Sequence, residues 1–210
     1  MNFRGTNLVE VLIILIFSIT VHEMMHAFTA HWLGDDTAHR EGRLTLNPLA
    51  HIDPFLTIVM PAITLFLFGV PFLAAKPVPF NPNRVKYDEF GAALVGLAGP
   101  LTNLTLAILG AIVLRGLGSG VTIGVFNFLT AFVALNVAIF VFNMIPIPPL
   151  DGSRVLYAFA PESIQNVMAQ MEQFGIFIVL VLIVAVPALS TILVNIDDYI
   201  FHILTGLRLV

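Results

Sequence analysis

The chain has 210 residues, of which 58% are hydrophobic and only 10% charged, with a mean hydropathy of +0.97. Soluble domains carry about 25% charged residues, so this is the composition of an integral membrane protein with little room for a soluble domain. The net charge of −4 comes with no basic block, which excludes a nucleic-acid surface, and the absence of cysteine excludes disulfides and thiolate ligands.

Residues 8–33 are predicted to form the first helix, about 39 Å long and able to cross a bilayer. Arg4 followed by an apolar run imitates a signal peptide. The run continues into His22 with no small-residue cleavage site, so it reads as an uncleaved first span. Inside that span lies His22-Glu23-Met24-Met25-His26. Ionisable groups at this depth are costly in lipid and require a partner. Positions four apart share a helix face, so His22 and His26 can reach one metal ion with Glu23 beside it. This is the HExxH arrangement, in which two imidazoles bind zinc and the glutamate handles the proton of an attacking water.

Residues 34–52 are polar, and the alternation Arg43-Leu44-Thr45-Leu46 predicts a short strand or a small β-hairpin after the first helix. Residues 53–69 are apolar but short and contain Pro61, which predicts a re-entrant segment or a fifth crossing. The four prolines within residues 70–84 exclude a regular helix there. Residues 90–115 and 121–145 are further spans, the second broken by Pro146, Pro148 and Pro149. Residues 163–173 suit the membrane interface, residues 174–194 form a last span with Pro187 near its end, and residues 195–210 are an amphipathic tail. The expected fold is an all-α, polytopic helical bundle of about four full spans plus the segment 53–69. It is a single membrane-embedded domain over residues 1–210, with a core at about 8–160 and C-terminal helices at 161–210.

A catalytic zinc needs a third protein ligand and an open position. Glu10 lies more than three turns from His22 on the same helix, too far to share an ion. Asp53 precedes Pro54 and reads as a helix cap. Asp151 is the best candidate, because it follows a proline-broken helix end where unwound backbone can line a polar cavity. A cap for a helix starting at Gly152 is its alternative role. His31 and His39 read as surface residues, His51 as a loop residue able to approach the site, and Trp32 as an interfacial anchor.

Three elements in order, HEMMH, then Gly99-Pro100-Leu101-Thr102-Asn103, then Asn143-Met144-Ile145-Pro146-Ile147-Pro148-Pro149-Leu150-Asp151-Gly152, resemble the site-2 proteases, which are intramembrane zinc metalloproteases. The resemblance covers residues 22–154. It implies one Zn2+ per chain bound by His22, His26 and Asp151, with Glu23 as general base. It further implies that Asn103 and Asn143 contact the substrate backbone or the developing oxyanion, where interhelical hydrogen bonding is the competing role. The form is minimal, without the PDZ or nucleotide-sensing domains of many relatives, so no nucleotide is expected. The extra apolar segment 53–69 departs from the minimal pattern.

Orientation follows from charge. If residues 53–69 dip in and return, Arg40, Arg43, Lys76, Arg84, Lys86 and Arg154 gather on one face, against Arg4 and Arg115 on the other. The positive-inside rule then puts the N-terminus outside and the mouth of the site towards the cytoplasm of a bacterial or archaeal cell. The expected function is hydrolysis of peptide bonds in transmembrane or membrane-associated protein substrates. The alternative is a non-proteolytic membrane metal protein or transporter, which would explain the histidines and Asp151 but would not require Glu23.

Overall fold

A computed structural model describes residues 6–68, 75–117, 120–175, 177, 178, 181 and 187–209. Helix α1 (Leu8–Trp32) is opened by a reciprocal cap. The Asn7 side chain accepts the Glu10 N–H at 2.9 Å, and the Glu10 carboxylate accepts the Asn7 N–H at 3.1 Å. The helix stops before Gly34, whose φ of 106° is a conformation that glycine adopts without strain. The short α2 (Thr37–Arg40) follows, then a single turn at Pro48–His51 and a wide helical turn at Pro54–Val59 that leads into α3 (Met60–Phe68). The remaining helices are α4 (Asp88–Gly116), α5 (Ile123–Asn143), α6 (Gly152–Phe159), α7 (Glu162–Glu172) and α8 (Pro187–Thr205).

Helix α4 is the hub, packed against α1, α5, α6 and α8. The pairings fix its direction. The Lys86 N–H, just before α4, donates to Leu33 O at the end of α1, while Asn103 further along α4 reaches His22 and Ser18. The two helices are therefore antiparallel. Asn103 also meets Asn136, and Gly110 lies against Phe132 and Val133, so α5 runs antiparallel to α4 and parallel to α1. The end of α5 returns to the level of the α1 histidines.

The buried faces carry small residues, among them Ala27, Ala30, Ala107, Ala111, Ala131 and Ala134, which let the helices approach closely. The outer faces carry exposed Ile13, Phe17, Leu109 and Ile112, an arrangement suited to lipid rather than water. Three helices, α1, α4 and α5, are long and apolar enough to cross a membrane. The protein is an integral membrane protein.

Two expectations about the fold are corrected. Three helices of spanning length occur among the described residues, not four. The segment expected as the last span, residues 174–194, lies partly outside the described residues. Within them, α8 runs through Asn195, Asp197 and Asp198 to Thr205. The β-hairpin is also absent: the described residues contain no strand. The alternating residues 43–46 satisfy their backbone locally, with Thr45 N–H donating to Arg43 O at 3.0 Å and Arg43 N–H to Ala38 O at 2.9 Å. No ladder partner is available, and alternation alone does not make a strand.

The segment after Ile52 comes back to where it left. The Lys76 N–H donates to His51 O at 3.0 Å, and the Arg43 guanidinium donates to Lys76 O. The Asn81 N–H reaches the Asp35 carboxylate at 2.6 Å. Burial would raise the Asp35 carboxyl, but hydrogen bonds from Thr37 and Asn81, together with the charge of Arg84, hold it below the usual carboxylate range. Both ends of the segment are thus tied beside the C-terminal end of α1.

Candidate active site

His22 and His26 sit on the buried face of α1, four residues apart, with their Nε2 atoms 3.0 Å from each other. The turn that follows α5 brings in Asp151. Its Oδ2 lies 3.1 Å from His22 Nε2 and 3.3 Å from His26 Nε2. Asp151 stands at the start of α6, yet its side chain makes no cap hydrogen bond there. Its carboxylate goes to the histidines. Asp53 does the reverse, accepting the N–H groups of Phe55 and Leu56, each at 2.9 Å, as a cap.

The far side of each imidazole is anchored. The His22 Nδ1–H donates to Asn103 Oδ1 at 2.6 Å, and the His26 Nδ1–H donates to Val95 O at 2.7 Å. The orientation of the Asn103 amide follows from its network, since its Nδ2 donates to Asn136 Oδ1 at 3.0 Å. With both protons on Nδ1, each Nε2 turns a lone pair towards the Asp151 oxygen. Three such atoms at 3.0–3.3 Å repel one another unless a cation lies among them. A tetrahedral ion with ligands at about 2.0–2.1 Å separates its ligand atoms by roughly 3.3 Å. The donor set of two nitrogens and one oxygen, and its spacing, therefore fit a metal ion held by His22, His26 and Asp151.

Close helix approach makes this possible. A Cβ at Gly99 would fall 2.6 Å from His22 Cε1 and Nε2 and nearer still to His26 Nε2. A Cβ at Gly96 would fall 2.9 Å from Arg154 Cβ and 3.0 Å from Asp151 O. Two glycines one turn apart on α4 thus seat the histidines on one side and the Asp151 turn on the other. Sequence reasoning did not single out Gly96, Val95 O or Asn136. The Gly96-Leu-Ala-Gly99 spacing was the available signal for the glycine seat. Nothing in the sequence marks which backbone carbonyl a histidine will find.

The cluster opens into a cavity of about 1350 Å³ lined by Glu23, Asn143, Arg154 and many apolar side chains from α1, α3, α5 and residues 75–80. Glu23 is half-buried on its wall beside both histidines. Asn143 is half-buried there too, with its Nδ2 donating to Ile139 O at 3.0 Å. Asn103, by contrast, is fully buried behind His22 and is not among the cavity-lining residues. Arg154 pairs with Glu172 and lies 5.5 Å from the centre of the Phe80 ring. His51 is buried in the loop, its Nε2–H directed at Thr45 O at 3.0 Å, and does not line the cavity. His31 and His39 lie at the surface with Asp36, which accepts from His31 Nδ1 at 2.7 Å. Trp32 is 70% exposed, as suits an interfacial anchor.

The family model described as Peptidase family M50 matches residues 114–186, which include Asn143 and Asp151. The chain is 39% identical over 179 residues to "Putative zinc metalloprotease YwhC" of Bacillus subtilis, covering 82% of this chain and 78% of that one. It is 33% identical over 175 residues to "Putative zinc metalloprotease Rip2" of Mycolicibacterium smegmatis, covering 83% of this chain and 66% of the relative. It is 33% identical over 138 residues to "Putative zinc metalloprotease MJ0611" of Methanocaldococcus jannaschii, covering 64% and 62%. No solved structure gives a significant match.

Proposed function

The chain belongs to peptidase family M50, the site-2 proteases, and from that premise we propose how its residues cleave membrane-embedded substrates. It is a zinc endopeptidase acting on transmembrane or membrane-associated proteins. The observation that carries the reading is the convergence of His22 Nε2, His26 Nε2 and Asp151 Oδ2 within 3.0–3.3 Å beside Glu23.

One zinc held by those three atoms would supply Lewis acidity, easing loss of a proton from the attacking water and polarising a scissile carbonyl. Glu23 takes the proton of the attacking water and delivers it to the leaving amine nitrogen. Asn103 is a positioning residue. By accepting the His22 Nδ1–H it keeps Nε2 unprotonated and turned towards Asp151, free to hold a metal ion. The Val95 carbonyl does the same for His26. Asn143, on the cavity wall, meets the substrate backbone. Residues 1–210 act as one catalytic domain.

A transmembrane substrate must unwind locally, because helical carbonyls are already hydrogen-bonded and shielded. The segment 53–69 enters the membrane from one face and returns to it. The ties of Lys76 to His51 and of Asn81 to Asp35 support this path. The same path collects Arg40, Arg43, Lys76, Arg84 and Lys86 near the C-terminal end of α1, which supports a cytoplasmic mouth and an external N-terminus in a bacterial or archaeal membrane.

The test is cleavage of a model transmembrane substrate by the purified protein, with product masses locating the cut. Wild type should cut within the apolar segment. Glu23→Gln should lose about a hundred- to ten-thousand-fold in rate while remaining folded. Near wild-type turnover in Glu23→Gln would overturn the assignment of the base.

A further inference from the structure

The cavity that reaches the histidine cluster extends along α5 to α8, where Leu193 and Asp197 complete its wall. Asp197 is 7% exposed, and its Oδ1 has no hydrogen-bond partner. Its neighbour Asp198 is in the opposite situation. That carboxylate accepts the Leu209 N–H at 2.8 Å and pairs with Arg208 at 2.9 Å. One of two adjacent acids thus serves the local structure, and the other lines the mostly apolar cavity. The same cavity is lined by Leu135, Ala138, Val141 and Leu193. Among the charged side chains at the cavity, Arg154 and Glu172 already pair with each other.

Packing does not require a carboxyl at position 197. Helix α8 is anchored one turn further on by Phe201, which is fully buried against Ala107, Val133, Ala134 and Val137. An unpartnered buried carboxyl costs stability, and an ionisable group at membrane depth calls for a partner. A metal ion is a poor candidate for that partner. Among the described residues no second histidine or acid groups with Asp197, whereas oxygen-bound cations collect several ligands. A hydrogen-bond donor needs only the one acceptor.

We propose that Asp197 is a specificity-determining residue that accepts a hydrogen bond from a polar donor side chain, an amide, a hydroxyl or an ammonium, on the substrate segment lying in the cavity. The inference rests on the protease reading above. Such a donor is itself costly in lipid, so transfer into the cavity relieves both partners. An apolar segment carrying one polar residue is then cut in preference to a wholly apolar one.

The test uses model substrates with one apolar membrane segment in which Asn is moved through successive positions, each compared with Leu at the same position. For wild type, the ratio of kcat/KM for Asn over Leu should peak at one position, at about tenfold or more, the scale of a hydrogen bond to a charged acceptor. In Asp197→Leu and Asp197→Ala the peak should vanish, and Asp197→Asn, which keeps an acceptor, should retain part of it. Removing an unpaired carboxyl should not unfold the protein, and thermal unfolding of each variant checks this. A flat wild-type profile, or an undiminished peak in Asp197→Leu, overturns the proposal. If wild type cleaves no substrate, the protease reading fails, and binding of the same labelled peptides decides the question separately. Tighter binding of the Asn peptide that is lost in Asp197→Leu supports the proposal; equal affinities overturn it.

Discussion

Gly99→Ala places one methyl group where α1 and α4 are closest. The added carbon would sit 2.6 Å from two His22 ring atoms and closer still to His26 Nε2, where carbon atoms normally rest at about 3.5–4.0 Å. The rings cannot simply rotate away, because Asn103 Oδ1 and Val95 O hold their Nδ1 atoms at 2.6 and 2.7 Å. Either the helices separate or a ring leaves its anchor, a displacement of roughly 1 Å. Metal sites tolerate about 0.2 Å in ligand distance. A misplacement of this size costs about a hundredfold in rate or metal affinity. The assay is zinc retention during titration with a competing chelator, followed by turnover of the model substrate. Gly124→Ala, whose added carbon meets nothing within 4 Å, is the control and should behave as wild type. A Gly99→Ala protein that holds zinc as tightly as wild type and cleaves at the same rate would refute the glycine seat.

Asn103→Ala should weaken zinc retention about ten- to a hundredfold, measured by chelator competition, because His22 loses the acceptor that sets its tautomer. Asn103→Asp, which keeps the acceptor for His22 Nδ1 but loses the donor to Asn136 Oδ1, should recover part of it, which a purely structural role would not give. Asp35 is held below the ordinary carboxylate value. Its contribution is therefore complete above about pH 4 and lost as pH falls through the lower folded value. The difference in thermal stability between wild type and Asp35→Asn should be largest at neutral pH and shrink in more acid solution. In this cysteine-free chain, single cysteines at the exposed positions Glu41 and Arg84 should show the same accessibility to a membrane-impermeant reagent in intact cells. Opposite accessibility would mean that residues 53–69 cross the membrane.

The chemistry was legible in the sequence because the spacing of His22 and His26 obeys helix periodicity whatever surrounds it, and because charged groups in apolar runs are rare. That Asp151 meets the histidines was legible for a related reason, since prolines follow the end of α5 just before it. The hairpin was misread because the alternation at Arg43-Leu44-Thr45-Leu46 is a local pattern, whereas a strand needs a partner that this loop does not provide. The expected last span, residues 174–194, lies partly outside the described residues, among which three helices of spanning length occur instead of about four. The place of Asn103 behind His22, and the need for glycine at 96 and 99, depend on how closely α1, α4 and α6 approach. Interhelical distance leaves only a faint trace in sequence, a spacing of small residues on one face.

The most direct measurement is the zinc content per chain of purified wild type and of Asp151→Ala, each purified without added metal. A zinc held jointly by α1 and the turn after α5 predicts one zinc per chain in wild type and loss of most of it in Asp151→Ala. Wild type lacking zinc, or Asp151→Ala retaining it in full, would contradict a centre built from His22, His26 and Asp151.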